Sequence, residues 1–289
     1  MKTLSPITIT KASGDTEHFD EAKLARSLAH SGLSVDTAAQ TVDHLKRHLK
    51  TGITTKDIHE HVTSFLKEAS PLGYYNYGLK RAIMALGPSG HPFETIVSDL
   101  LRQFGYKTEV GVIVLGKCVT HEIDVVAKKL NRQYFIECKF HNDPGTKTDV
   151  QVALYSYARF LDVNQAMKKQ HGEGITYFPW LVTNTKVTSE VYDYAGCVGL
   201  ELTSWSHPKG HGIGDLVMEA GLHPVTLMYY LPRHKIQELL TRNIVTCSRL
   251  SEAISHKTVS DLLTKDELAR VTEDIRLICK TQNQPTSIQ

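Results

Sequence analysis

The residues best placed to do chemistry in this chain are Asp124 and, after twelve intervening residues, the triplet Glu137-Cys138-Lys139. Two carboxylates and an ammonium suit divalent-cation and phosphoryl chemistry, provided the fold brings them together. Residues 121–127 and 133–139 alternate apolar and polar side chains as half-buried strands do, with Leu130-Asn131 between them. A hairpin turning symmetrically there pairs Lys129 with Arg132, Val125 with Ile136, and Asp124 with Glu137, whose Cβ atoms would lie about 5 Å apart. The strand period of two puts Lys139 on the same face and turns Ile123, Val125, Ile136 and Cys138 toward a core. Carboxylates that close raise each other's pKa unless a cation reverses the balance. A hard ion, Mg²⁺ or Mn²⁺, suits an all-oxygen set. The plain alternative is a charged, solvent-facing side of a hairpin.

The hairpin needs a frame, and the flanking sequence supplies one. Phe93, Ile96, Val97, Leu100, Leu101 and Phe104 recur at helical spacing and Gly105 follows as a stop. Strands are expected at 108–115, 121–127 and 133–139, then a loop at 141–145, a helix over 149–161, a strand at 177–183, a short helix at 189–194 and a strand at 199–205. The order αβββαβαβ predicts an α/β fold with a mixed sheet. Gly87-Pro88-Ser89-Gly90-His91-Pro92 reads as one linker and 206–214, with three glycines and a proline, as another. The expected domains are therefore 1–88, 91–205 and 214–280. The first is a strand at 7–10, a turn at Ser13-Gly14, and helices over 21–30, 36–50, 55–68 and 74–86. The last is all-helical, with breaks at 221–224 and 231–232.

Asp124, Glu137-Cys138-Lys139, the helix starting near Phe93-Glu94 and the later Gln151-Val-Ala-Leu-Tyr155 resemble, over about residues 91–205, the Mrr-like branch of the PD-(D/E)xK restriction endonuclease superfamily. That resemblance implies a restriction-endonuclease-like core and a metal-dependent DNA endonuclease of restriction or repair type. It also implies that Asp124 and Glu137 bind the metal, that Lys139 assists the nucleophile and that Gln151 supports the site. Tyr155, one turn after Gln151 on the same helical face, would continue the pocket. Glu94 is the matching position for an additional metal-binding acid. Its competing role is local: with Pro92 first in the helix, Glu94 falls at N3, where exposed amides favour a carboxylate.

Residues 7–88 resemble an ATP-cone, a nucleotide-sensing domain, through Ile9-Thr10-Lys11, Gly14, Glu17, Phe19, Lys23-Leu24, Thr54-Thr55-Lys56-Asp57-Ile58-His59 and Lys80-Arg81. The resemblance implies that Lys11, Glu17, Lys23, Thr55 and His59 bind an adenine nucleotide, ATP or dATP, as a regulatory ligand. Ala12 stands where the family has arginine, so the resemblance implies either a weaker site or a replacement of that contact by Lys80 or Arg81. The competing reading is a helical interaction module in which Lys11 and Lys23 are solvated and Thr55 caps a helix. No G-x-x-x-x-G-K-[ST] loop occurs, which argues against an ATPase motor.

Bulk properties set limits. With 33 Lys and Arg against 31 Asp and Glu, the net charge of +2 leaves no global footprint for nucleic acid, so a DNA surface must be local. The five cysteines show no paired spacing, against a disulfide framework or zinc ribbon, and the N-terminus has no signal pattern. A cytoplasmic protein without membrane segments is expected, and a homo-oligomer if each chain brings one site to two strands. Around Asn243 two short helices suggest a helix-hairpin-helix without its glycine, for which core packing or dimerisation is the simpler reading. His44/His48 and His59/His61 read as pairs lacking a third metal ligand. A catalytically silent, nucleotide-sensing DNA-binding regulator would share this layout without needing all of Asp124, Glu137, Lys139 and Gln151.

Overall fold

A computed structural model describes residues 7–11, 14–143, 145–171 and 174–279. The chain divides into two compact units, Met1–Leu79 and Lys80–Gln289. In the first, β1 (Thr8–Thr10) pairs antiparallel with β2 (Thr16–His18). Helices α1 (Glu21–His30) and α2 (Val35–Lys46) follow, then β3 (Ile53–Thr54), α3 (Thr55–Ala69) and α4 (Pro71–Met84), whose last residues, from Lys80, belong to the second unit. Strand β3 adds parallel to β1, with Thr10 opposite Thr54. Leu24, Leu28, Val42, Leu45, Ile58, Val62 and Leu66, recurring at helical spacing, form the core of this unit. The helix expected over 36–50 ends at Lys46.

The second unit carries α5 (His91–Gln103), β4 (Lys107–Leu115), β5 (Thr120–Lys129), β6 (Arg132–Lys139), β7 (Lys147–Thr148), α6 (Val150–His171), β8 (Thr176–Thr183), β9 (Lys186–Val187), α7 (Ser189–Val198) and β10 (Glu201–Thr203). Its five-stranded sheet runs β10-β8-β6-β5-β4; β4, β5 and β6 are antiparallel and β6, β8 and β10 parallel, so the sheet is mixed. The hairpin turns at Leu130, which has φ 55° and is 89% exposed. Pairing runs from Lys129–Arg132 to Val125–Ile136, in the register read from the sequence.

Two features were not visible in the sequence pattern. Helix α6 continues well past residue 161, because Phe160 and Val163 still pack against Phe135 and Tyr177 while the polar stretch beyond them shows little apolar period. Strands β7 and β9 form a separate parallel pair too short for any periodicity to register. Thr148 of β7, Thr183 at the end of β8 and Thr185 just before β9 are buried and linked by hydroxyl hydrogen bonds, and His141 and Asn184 exchange backbone–amide bonds that hold the chain just after β6.

Beyond the sheet lie α8 (Ile213–Glu219), a 3-10 turn Val225–Leu227, α9 (Arg233–Thr241), α10 (Cys247–Ser255) and α11 (Lys265–Cys279). Asn243, at φ 58°, occupies the α9–α10 turn where a hairpin motif would carry glycine. Arg249 of α10 grips Asp99 of α5 through two bonds of 2.5 and 2.7 Å, and the Thr95 hydroxyl donates to Asn243 at 3.1 Å. The α9–α10 pair is thus packed on the helix that supports the sheet. No helix among the described residues is long and apolar enough to cross a membrane.

Candidate active site

Strands β5 and β6 stop pairing beyond Val125–Ile136, and on the other side the β4–β5 ladder skips Gly111, which takes φ 64°, opposite Asp124. Asp124 therefore sits where the sheet splays. Its carboxylate bridges the gap by accepting from the backbone N–H of Cys138 at 2.7 Å. Ile123, Val125, Ile136 and Cys138 are all buried. Ile123 nevertheless joins the cluster of Phe135 and Phe160, a departure from strict alternation that follows from the interrupted ladder.

Glu137, 13% exposed in its side chain, is held by α6. The Tyr155 hydroxyl donates to Oε1 at 2.8 Å and Arg159 Nη1 to Oε2 at 2.5 Å, while Arg159 also donates to the backbone carbonyl of Glu122. Arg159 lies over the Tyr155 ring, 5.6 Å from its centroid. Burial and the Glu137 carboxylate push Tyr155 well above the ordinary phenol range. Glu94 reaches the same region from α5, its side chain 18% exposed. Burial raises its pKa, and the carboxylates of Glu122 and Glu137 add to the rise against a lowering by His91. Asp124 responds most: burial, then Glu137, push it to about 7, with the Cys138 amide and Arg159 only partly offsetting. Three acids thus share one partly dry region with Arg159 as the cation in direct contact, a situation relieved by protons or by a metal dication.

Asp124, Glu137 and Glu94 are thus electrically coupled. Lys139 ends β6 beside Thr183 of β8, half-buried. Gln151 is exposed in the first turn of α6, where Asp149 accepts from its backbone N–H at 3.0 Å. The helix stride from Gln151 through Tyr155 reaches Arg159, which sequence reading had passed over; a third residue at the same i+4 spacing was the available signal. Glu94 falls one position later than expected, because α5 starts at His91. Instead of capping the helix it meets the His91 ring at 3.3 Å.

In the first unit, Glu17 on β2 bridges Lys11, at 2.7 Å, and Lys23, at 3.2 Å. The parallel pairing of Thr10 with Thr54 sets the strand end that carries Lys11 beside the start of α3. Thr54, not Thr55, caps that helix, in a reciprocal box with Asp57; Thr55 is its first residue. His59, one turn on, stacks on Tyr77 at 5.1 Å. Ala12 and Ser13 lie outside the described residues. Lys80 belongs to the second unit, 5.4 Å over the Trp205 ring. The pairing of His59 with His61 also needs correction. Two residues apart on a helix face different ways, and His61 instead meets His44 and His48.

Residues 87–206 match the restriction endonuclease family Mrr_cat. An uncharacterized protein of Archaeoglobus fulgidus is 43% identical over 161 residues, 56% of this chain and 87% of the relative. A crystal structure of a protein of unknown function superposes with a TM-score of 0.54 at 38% identity, covering 66% of this chain and 98% of that one. The chain therefore belongs, through residues 87–206, to the Mrr_cat restriction endonuclease family.

Proposed function

We propose that this chain is a divalent-cation-dependent DNA endonuclease of restriction or repair type, cutting with Glu94, Asp124, Glu137, Lys139 and Gln151. The observation that carries the reading is the group of acids around Asp124, whose carboxylate is held near pKa 7 by burial and by Glu137. An all-oxygen, acidic donor set at the splayed end of a hairpin fits Mg²⁺ or Mn²⁺. Bound there by Asp124, Glu137 and Glu94, such an ion would polarise the scissile phosphate and acidify a water.

The chain's own groups do the rest. Tyr155 and Arg159 fix the Glu137 rotamer and leave Asp124 and Glu94 the less compensated charges. Lys139, at the end of the same strand as Glu137, brings an ammonium to the negative charge that grows on the nucleophile and phosphorane. Gln151, exposed on the α6 face that continues to Tyr155, supports the site by hydrogen bonding on the DNA side.

In this reading residues 91–205 are the nuclease domain, 214–280 a helical domain packed on it, and 1–88 an ATP-cone-like regulatory domain. Supporting the last part, Lys11 stands beside the N-terminus of α3, where free amides favour a phosphate. ATP or dATP would bind through Lys11, Glu17, Lys23, Thr55 and His59, in a cytoplasmic protein that cuts both strands as a homodimer.

The test is incubation of purified chain with supercoiled plasmid, with Mg²⁺, Mn²⁺ or excess chelator, and with or without ATP or dATP. Cation-dependent nicking or linearisation is expected, lost in Asp124→Ala, Glu137→Ala and Lys139→Ala while low-salt DNA binding persists. Cleavage that survives chelator, or full activity in all three variants, would overturn the assignment. The regulatory part fails separately if millimolar ATP or dATP neither binds nor changes the rate.

A further inference from the structure

We propose that His44, His48 and His61 form a metal site in the N-terminal unit, separate from the carboxylate cluster, for a borderline transition-metal dication such as Zn²⁺. Their ligating atoms all lie within 4.8 Å of one another. Zn–N bonds of about 2.0–2.1 Å in a tetrahedron need nitrogens roughly 3.3 Å apart, so small side-chain rotations close the set. The three residues come from two elements. His44 lies in the last turn of α2, His48 just beyond its end, and His61 in the second turn of α3.

Several features prepare the rings for a cation. The Nδ1 of His48 lies 2.9 Å from the carbonyl oxygen of His44. A carbonyl only accepts, so Nδ1 is the donor and the lone pair of the neutral ring is at Nε2. Fixing the tautomer by a backbone carbonyl is how ligating histidines are commonly oriented. The rings already crowd together, His48 at 4.7 Å from His44 and 4.6 Å from His61, centroid to centroid. Phe65, one turn after His61, stacks on His44 at 4.9 Å and holds that ring against α3. The C-terminal end of α2 carries the negative pole of the helix dipole, which favours positive charge.

Three imidazoles without a carboxylate select Zn²⁺, Co²⁺, Ni²⁺ or Cu²⁺ over Mg²⁺, and three protein ligands leave one tetrahedral position open. A bound ion would tie the end of α2 to α3 across the turn that carries β3, which pairs with the strand preceding Lys11. The ion would therefore stabilise this unit and restrain the β1–β3 edge.

The experiment uses the untagged full-length chain, stripped of metal by chelator, in the Asp124→Asn background that disables the carboxylate cluster. Co²⁺ is the probe, followed by its visible d–d absorption, with Zn²⁺ displacing it. The expected result is one equivalent of Co²⁺ giving the intense band of a low-coordinate nitrogen site, bleached by Zn²⁺. His48→Gln, at an exposed position that leaves the core intact, should weaken binding by roughly tenfold or more. His44→Gln and His61→Gln should do the same, with circular dichroism verifying their fold. Failure of Co²⁺ and Zn²⁺ to bind stoichiometrically in the Asp124→Asn chain, or a His48→Gln chain that binds as tightly as its parent, would overturn the site.

Discussion

The two units hold their charges in opposite ways. In the N-terminal unit Glu17 lies between Lys11 and Lys23 at the surface, where both lysines lower its pKa and stabilise its ionised form and water screens what remains. In the restriction endonuclease domain Glu94, Asp124 and Glu137 share a drier region in which Arg159 pairs with Glu137 and His91 lies 3.3 Å from Glu94, and Asp124 is driven to about 7. The first cluster is at rest without a ligand. The second is not, and its fold stores a demand for positive charge that a dication meets. Ligands should therefore act differently on the two: a nucleotide bound as proposed would have to loosen the ion pairs of Glu17 with Lys11 and Lys23, whereas a metal ion would relieve an existing repulsion.

That contrast can be broken at several points. The largest effect is expected in the frame beneath the acids. Ile136 is 1% exposed beside Glu137, so Ile136→Asp buries a charge without a partner and should unfold the nuclease domain, a loss of more than about 4 kcal/mol in denaturant titration. Lys23→Ala, in the exposed cluster, should change stability by less than about 1 kcal/mol.

Next comes the pH dependence of the metal-free chain. The Asp124 pKa stands at about 7 when folded against 3.8 for the free group, so the native state holds its proton more tightly than the unfolded one. The stability this gives is complete below about pH 3.8 and is lost as pH rises toward 7. At about 1.4 kcal/mol per unit the loss reaches at most about 4 kcal/mol. Other carboxylates with lowered pKa, Glu17 and Asp57 among them, add stability as pH rises, so the decline is read as the difference in melting between wild type and Asp124→Asn across that window. A difference that does not change with pH would mean the site is not repulsive.

A smaller shift is expected from Arg159→Met. Arg159 lowers the Asp124 pKa and neutralises Glu137, so its removal should move the transition in that profile to higher pH. An unmoved midpoint would place Arg159 outside the site's electrostatics. The smallest effect belongs to Glu17→Gln. Glu17 is one of the proposed nucleotide contacts, so any thermal stabilisation by millimolar dATP should shrink, by at most a few degrees; an increase would instead make Glu17 a competitor that only occupies Lys11 and Lys23.

Much of this was legible from pattern. The β5–β6 register followed from alternation about Leu130-Asn131, and the acid–acid–lysine order placed the chemistry at the end of that hairpin. Helical periodicity located α1, α3 and α5 within a few residues. What alternation could not carry was the splay at Asp124, which depends on the positive φ of Gly111 in the neighbouring strand. Arg159 was missed because an arginine on the polar side of a helix looks solvated until the partner carboxylate is known. His61 was missed for a related reason: its partners lie on and just beyond another helix, and proximity in sequence favoured His59.

The central claim is that Glu94, Asp124 and Glu137 form a site for a hard dication, and Mg²⁺ calorimetry tests it most directly, since a cluster of imidazoles disfavours that ion. At about pH 6 most Asp124 is protonated, so binding must expel its proton. Titrations in two buffers of different ionisation enthalpy should give one Mg²⁺ bound with release of up to about one proton, the release fading toward pH 8 and both signals lost in Asp124→Asn. Mg²⁺ binding that releases no proton at pH 6, or that persists unchanged in Asp124→Asn, would contradict it.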